Sequence, residues 1–371
     1  MTTATATPHL WLRAEVKPME HRAALTPSVC TELLKNGFKI TVERCNQRVF
    51  ADSEYEAIGC ELAAHGSWQT AAPLDAYIVG LKELPEELTP LKHTHIFFAH
   101  CYKNQGGWQD ILGRFRDGKG TLLDLEFLTN DQGRRVAAFG YHAGYTGAAF
   151  GLDAWCHQQL KAGEPYPMIK PYPSEAALVA QIKEQLAAVV AKTGKTPKVM
   201  VMGALGRCGS GAVDCVRQSG IPEENILRWD MAETAKGGPF EEILGCDIFV
   251  NCIYLSQPIP PFITREMLDR ADRPLTMVVD VSCDTTNPHN PIPIYSVNTT
   301  FDKPLLDVST ASPRPLQVIA IDHLPTALPR ESSDAFSRDL LPSLLELRNR
   351  QNARVWTDAE KLYREKVALL P

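Results

Sequence analysis

Lys198-Val-Met-Val-Met-Gly-Ala-Leu-Gly-Arg-Cys-Gly-Ser-Gly211 is the stretch that decides the fold. Its four apolar residues read as a short buried strand, and Gly203, Gly206 and Gly209 then lead into a helical pattern. A turn of this kind brings backbone close to a pyrophosphate and aims a helix N-terminus at its charge. The spacing is G-x-x-G-x-x-G rather than the commoner G-x-G-x-x-G, so context has to carry the reading. A second strand, Asn225-Ile-Leu-Arg-Trp229, ends in Asp230, where a carboxylate can hold both ribose hydroxyls of NAD. The competing reading is a glycine-rich turn in an ordinary α/β domain. The strand before, the helix after and the acid beyond favour a dinucleotide site.

Working outward, strands are expected at 247–251, 277–281 and 317–321, with a Pro-rich excursion between Asn287 and Pro315. Upstream, Ser174 caps a helix that runs to about Ala191 and ends at Gly194. Residues 141–160 are rich in Gly and Ala and read as a helix packed closely against a neighbour at the domain junction. The first 135 residues repeat the alternation. Strands are expected at 10–14, 39–43, 76–80, 94–99 and 121–125, and helices near 53–60 and 108–115. Thr26 is placed to cap a further helix that has Pro27 at its first position and stops at Gly37. Helical segments at 334–347 and 359–369 close the chain; lacking strands, they are expected to return to the first domain. The expected fold is α/β, two Rossmann-like doubly wound parallel-sheet domains with a cleft between them. A discontinuous substrate and catalytic domain covers 1–135 plus 325–371, and an NAD-binding domain covers 136–324.

The chain is long for one core at 371 residues. Hydrophobic content of 44% and charged content of 22% describe a globular protein, and a net charge of −6 argues against nucleic-acid or anionic-membrane partners. No apolar run reaches the ~18 residues of a membrane span. The first residues lack the basic and apolar blocks of a signal peptide, and the last, Ala-Leu-Leu-Pro, form no peroxisomal address. Ten cysteines without a C-x-x-C pair read as reduced residues of a cytoplasmic protein. No dense ligand cluster calls for a metal.

Catalytic candidates fall in the first domain. Lys82 and Glu83 follow one strand, His100 the next and Glu126 the one after. In a parallel sheet such positions emerge on one edge, where α/β proteins place ligands. A lysine can act as general base once its pKa is lowered, and a histidine as acid near neutrality. A solvated loop lysine and a structural histidine are the alternatives. Arg22, ahead of Thr26, and the pair Arg134 and Arg135 could hold an anionic substrate by bidentate hydrogen bonds; for the pair, surface charge is the alternative.

At this point the motifs resemble a family. Leu12-Arg-Ala-Glu15 with Lys17-Pro-Met-Glu-His-Arg-Ala-Ala-Leu-Thr-Pro27 is similar to the start of the alanine dehydrogenase and transhydrogenase superfamily. Gly80-Leu-Lys-Glu83, Phe98-Ala-His-Cys-Tyr-Lys103, Leu123-Asp-Leu-Glu-Phe-Leu128 and Asn130-Asp-Gln-Gly-Arg-Arg-Val-Ala-Ala-Phe139 resemble the fungal saccharopine dehydrogenases more closely. So do Gly203–Gly211, the motif beginning Asp284-Thr-Thr-Asn-Pro-His and Ile321-Asp-His-Leu-Pro325. The resemblance implies NAD-dependent oxidative deamination of saccharopine to lysine and 2-oxoglutarate by a monomeric enzyme. It implies Lys82 as general base and His100 as general acid, with Glu83 and Glu126 tuning their pKa values. Arg22, Lys82, Lys103, Arg135 and Phe139 would contact the substrate. Arg134, Gly203, Gly206, Arg207, Asp230, Thr234, Tyr254, Val281 and Ile321, Asp322, His323 and Leu324 would line the NAD site. It also implies a disulfide option between Cys208 and Cys252, for which a reduced pair is the alternative. Two other functions stay open: an alanine-type dehydrogenase acting on a small 2-oxo acid and ammonia, and a catalytically silent NAD sensor.

Overall fold

The structure, a computed structural model, describes residues 7–371 apart from Asn104, Ser256, Asp284 and Thr286. Residues 1–6 of the stretch searched for a signal peptide lie outside the described residues, as do Asp284 and Thr286 of the Pro-rich motif. Two compact units divide the chain. One comprises the residues up to Ala138 together with Pro329–Pro371, and the other comprises Phe139–Leu328.

The first unit holds β1 (His9–Leu12), α1 (Pro27–Lys35), β2 (Lys39–Glu43), α2 (Asp52–Glu56), β3 (Glu61–Ala63), α3 (Trp68–Ala71), β4 (Tyr77–Val79), β5 (Thr94–Phe97), α4 (Trp108–Gly118) and β6 (Thr121–Asp124). All six strands are parallel, in the order β3-β2-β1-β4-β5-β6. From β1 the chain winds outward through β2 and β3, then returns to place β4 on the other side of β1. That reversal is the switch point at which doubly wound sheets bind ligands. The strands are short apolar runs buried on both faces, as parallel sheets require; Leu10, Val42, Ile78, Val79 and Ile96 are fully buried.

Several local expectations need correction. Thr26 occupies the N-cap position of α1, but no first-turn N–H takes its hydroxyl. The hydroxyl lies 2.9 Å from Ser28 Oγ instead, so a side-chain partner outcompetes the backbone. Helix α2 stops at Glu56, because Gly59 turns the chain at φ +95° and no helix continues to residue 60. Strand β3 and helix α3 were not anticipated, since three and four residues are too few to show a period.

The second unit holds α5 (Gly140–Leu160), α6 (Glu175–Thr193), β7 (Val199–Met202), α7 (Arg207–Gln218), β8 (Ile226–Trp229), α8 (Met231–Thr234), β9 (Ile248–Asn251), α9 (Arg265–Leu268), β10 (Met277–Asp280), β11 (Leu306–Asp307) and β12 (Gln317–Ile319). Its order is β11-β12-β10-β9-β7-β8, parallel except for the two-residue edge strand β11, which runs antiparallel to β12. Ser174 caps α6 by accepting from Ala177 N at 3.1 Å, and Gly194 ends it at φ +67°.

The Gly/Ala composition of α5 has a direct cause. A Cβ on Gly144 would sit 1.8 Å from Cys208 O, and one on Gly211 of α7 would sit 1.9 Å from Tyr141 O. The two helix backbones touch where side chains are absent, which locks the glycine turn's helix against α5.

Helices α10 (Pro329–Leu345) and α11 (Arg354–Val367) belong to the first unit. Helix α10 packs on α1, with Ala23 N donating to Ser333 Oγ at 3.0 Å, and α11 packs on β6, with Tyr363 Oη donating to Gly120 O at 2.9 Å. Among the described residues no helix is long and apolar enough to cross a membrane.

Candidate active site

Strands β1, β4, β5 and β6 are neighbours, so the residues just past their C-terminal ends emerge along one sheet edge. Glu15 lies beyond β1, Lys82 and Glu83 beyond β4, His100 beyond β5 and Glu126 beyond β6. His100 sits at φ +52°, a left-handed backbone that costs a non-glycine residue ~1–2 kcal/mol. Strain of this sort is characteristic of functional positions.

The charges along this edge interlock. Glu83 stands between a histidine and a lysine, its Oε1 3.7 Å from His100 Nε2 and its Oε2 3.7 Å from Lys17 Nζ. Burial pushes the Glu83 carboxyl up, but a backbone hydrogen bond and the charges of His100, Lys17 and Lys82 bring it below the ordinary carboxylate range. Glu126 Oε1 accepts from Lys103 Nζ at 2.8 Å and from Arg135 Nη2 at 3.1 Å. Burial again raises this carboxyl, and Lys103, Arg135 and His100 together lower it. Both glutamates are therefore anions over the physiological range, and an anion beside a histidine or lysine favours its protonated form.

Arg22 is buried, and its Nε and Nη2 donate to Glu20 at 2.8 and 2.6 Å. Burial would raise the Glu20 carboxyl; the Arg22 charge and hydrogen bonds, with Lys82 adding its charge, hold it at about 2. Because the folded value lies below the ordinary 4.5, the contribution to stability is full above that pH and disappears as pH falls through about 2. It amounts to roughly 3 kcal/mol. Glu20→Gln is expected to flatten the acid limb of the stability curve in that window, measured by urea unfolding; an unchanged limb would clear Glu20 of any part in acid sensitivity.

Other carboxylates on this edge were not picked out from the sequence. Asp124, nearly fully buried, accepts from Glu126 N at 2.9 Å and Ala99 N at 3.3 Å; burial carries its carboxyl to about 7 against those two donors. Glu43 accepts from Trp11 Nε1, Ala14 N, Gly66 N and Trp68 N at 2.7–3.0 Å. Glu15 accepts from Leu81 N at 2.6 Å and Lys82 N at 2.9 Å. Each joins the end of one strand to its neighbour's. Arg134 O accepts from Asn130 N at 2.8 Å, and Arg134 N donates to the Asn130 side-chain Oδ1 at 3.0 Å, in an exposed turn.

In the second unit the glycine turn follows β7. Gly203 adopts φ +84°, and a Cβ on Gly209 would lie 2.0 Å from Gly203 O, so a tight turn demands glycine at both places. Helix α7 begins at Arg207 with Gly206 as its N-cap, so the glycine turn leads directly into a helix N-terminus, whose partial positive charge favours an anion. Asp230 follows the adjacent β8. Its Oδ2 accepts from Leu205 N at 2.9 Å and its Oδ1 from Met231 N at 2.9 Å, and Thr234 Oγ1 donates to its carbonyl at 2.8 Å. The residues present thus fit a dinucleotide: a tight glycine turn at a helix N-terminus for phosphate, and a fixed carboxylate for a ribose diol.

Leu205 and Met231, both over 80% exposed, and exposed Tyr254 surround the C-terminal ends of these strands with apolar surface; the first two were missed in the sequence. Val281 N donates to Asn251 O at 3.0 Å, and a Cβ on Gly147 would lie 2.9 Å from Val281 Cγ2. Ile321 and Leu324 are core side chains, so only main chain is available there; Asp322 is exposed, and His323 packs edge-on to Phe301 at 5.1 Å. Phe139 is the half-buried N-cap of α5. Cys208 and Cys252 are both free thiols, and a hydrogen bond with Cys208, reinforced by burial, pushes the Cys252 thiol up.

Comparison with known proteins bears on the family and the fold. Residues 11–146 match the family described as alanine dehydrogenase/PNT, N-terminal domain. A solved L-alanine dehydrogenase is similar in fold with a TM-score of 0.65 at 16% identity, over 96% of this chain and 94% of that one. A transhydrogenase from Sinorhizobium meliloti gives 0.58, also at 16% identity, over 91% and 94%. The fold is therefore that of the alanine dehydrogenase and transhydrogenase class. Sequence narrows the class further. The saccharopine dehydrogenase (NAD(+), L-lysine-forming) of Yarrowia lipolytica is 58% identical over 97% of both chains, and that of Schizosaccharomyces pombe is 58% identical over 98% of this chain and 99% of its own. The chain belongs to the saccharopine dehydrogenase (NAD(+), L-lysine-forming) family.

Proposed function

We propose that this protein oxidatively cleaves L-saccharopine with NAD and water, releasing L-lysine, 2-oxoglutarate, NADH and a proton. The observation that carries the reading is near full-length identity of 58% to relatives that bear this activity in their names. Bound NAD would accept hydride from the substrate carbon next to the secondary amine. The first unit would hold the substrate, and the second the dinucleotide through Gly203, Gly206, Arg207 and Asp230.

The chain's own groups then manage protons and charge. Lys82 takes the proton of the secondary amine, which must be neutral before hydride can leave. Loss of hydride leaves an imine, to which water adds while His100 moves protons; the carbinolamine then breaks its C–N bond to give the amine and the ketone. Glu83, 3.7 Å from His100, favours the imidazolium that donates. Arg135 and Lys103, already turned on Glu126, supply cationic groups for a substrate carboxylate.

Following NADH oxidation with lysine plus 2-oxoglutarate tests the reading, against controls with pyruvate and ammonia. Turnover only in the first mixture is expected. Preferred turnover of the second would make this an alanine-type enzyme, and tight NADH binding without either turnover would make it a sensor. A soluble, cytoplasmic, monomeric enzyme is the setting this proposal assumes.

A further inference from the structure

We propose that Glu15, in a buried ion pair with Arg13, is a positioning residue for Lys82: it fixes the main chain of the general base from the strand across the switch point. This rests on the reading of Lys82 as base. Ladder hydrogen bonds between β1 and β4 end at Arg13 N, which donates to Val79 O at 2.9 Å. Beyond that point side chains take over. Glu15 Oε1 accepts from Leu81 N at 2.6 Å and Oε2 from Lys82 N at 2.9 Å. Arg13 Nη2 donates to Lys82 O. The amide and the carbonyl of Lys82 are thus both held, by opposite members of one ion pair whose Nη1 and Oε2 are 3.5 Å apart.

The surroundings leave this arrangement little room to vary. Arg13 is 2% exposed and Glu15 7%, and the guanidinium lies over the Phe97 ring at 5.4 Å. It reaches Lys82 only because residue 80 is glycine, since a Cβ there would stand 2.4–2.6 Å from the guanidinium atoms. Glu15 is itself steadied from the far side, where Glu43 Oε2 accepts from Ala14 N at 3.0 Å and Gln47 Nε2 donates to Glu15 O at 3.0 Å. A buried pair of this kind adds little net stability over apolar residues of the same size, and Arg13 Nε has no hydrogen-bond partner among the described residues. What the pair does provide is a fixed main chain at Lys82, whose charge is felt by the carboxyls of Glu20 and Glu83.

The test is a double-mutant cycle in full-length protein. Glu15→Gln keeps the shape but leaves one N–H facing an amide, and kcat is expected to fall roughly 10–100-fold, the cost of a misplacement of about 1 Å. KM for NADH should stay unchanged. In a Lys82→Met background the same substitution should cost less than about twofold, because its effect runs through a side chain already gone. Equal losses in both backgrounds, or parental kcat in Glu15→Gln, would overturn the proposal. If Glu15→Gln does not fold by circular dichroism, Arg13→Lys replaces it in the cycle, keeping the charge but losing the fork; parental kcat there would equally overturn it. Near-parental turnover of Lys82→Met would instead remove the reading of Lys82 as base.

Discussion

Lys82→Met is expected to lower kcat by ~10²–10⁴-fold while NADH binding, measured by fluorescence titration, stays as in the parent. The substitution removes the group that accepts the amine proton. It leaves the second unit, with Gly203, Gly206 and Asp230, untouched. His100→Gln should depress turnover on the same scale and delete one ionisation from the pH–rate profile, because glutamine can hydrogen-bond but cannot donate and recover a proton near neutrality. The two losses need not multiply if the groups work as a unit. Turnover and pH profile both unchanged in the two variants would make this sheet edge structural, and the proposed mechanism would fall with it.

The second large effect concerns the dinucleotide. With the Asp230 carboxylate fixed by Leu205 N and Met231 N, a 2′-phosphate would meet an anion that cannot turn away. Like charges placed together cost several kcal/mol, so kcat/KM is expected to favour NAD over NADP by ~10²–10³-fold. Asp230→Ser should narrow that ratio, mainly by losing efficiency with NAD. Equal efficiency of the parent with both dinucleotides would take Asp230 out of this role.

Much of this was legible in the chain because parallel sheets write themselves locally. A buried strand such as Val199–Met202 is a short apolar run, and the residue after it stands on the ligand-binding edge by topology alone. Lys82, His100 and Glu126 could be picked out on that basis before any geometry was known. The carboxylates that hold those strand ends could not. Glu15 sits in a short string that names no partner, and its bonds to Leu81 and Lys82 depend on β4 returning to the far side of β1, a matter of winding rather than composition. Arg22 read as a cation for an anionic substrate from its loop position; that Glu20, two residues earlier, takes the Nε–Nη2 edge of its guanidinium was not legible there. Thr26 had the right identity and position for a cap, and a neighbouring hydroxyl took it. Leu205 and Met231 carried no signal, since an isolated apolar residue in a turn gains meaning only from what its neighbours leave exposed.

The division of the chain also sets a timetable for its synthesis. Phe139–Leu328 is continuous, so that unit has all its strands once Leu328 has left the ribosome. The first unit begins earlier and is completed later. Its strand β6 gains the cover of α11, with Tyr363 tied to Gly120, only after the whole second unit has been made. A nascent chain therefore carries a half-covered sheet while a later-born unit folds to completion, and during that interval the exposed apolar face is a target for chaperones and for aggregation.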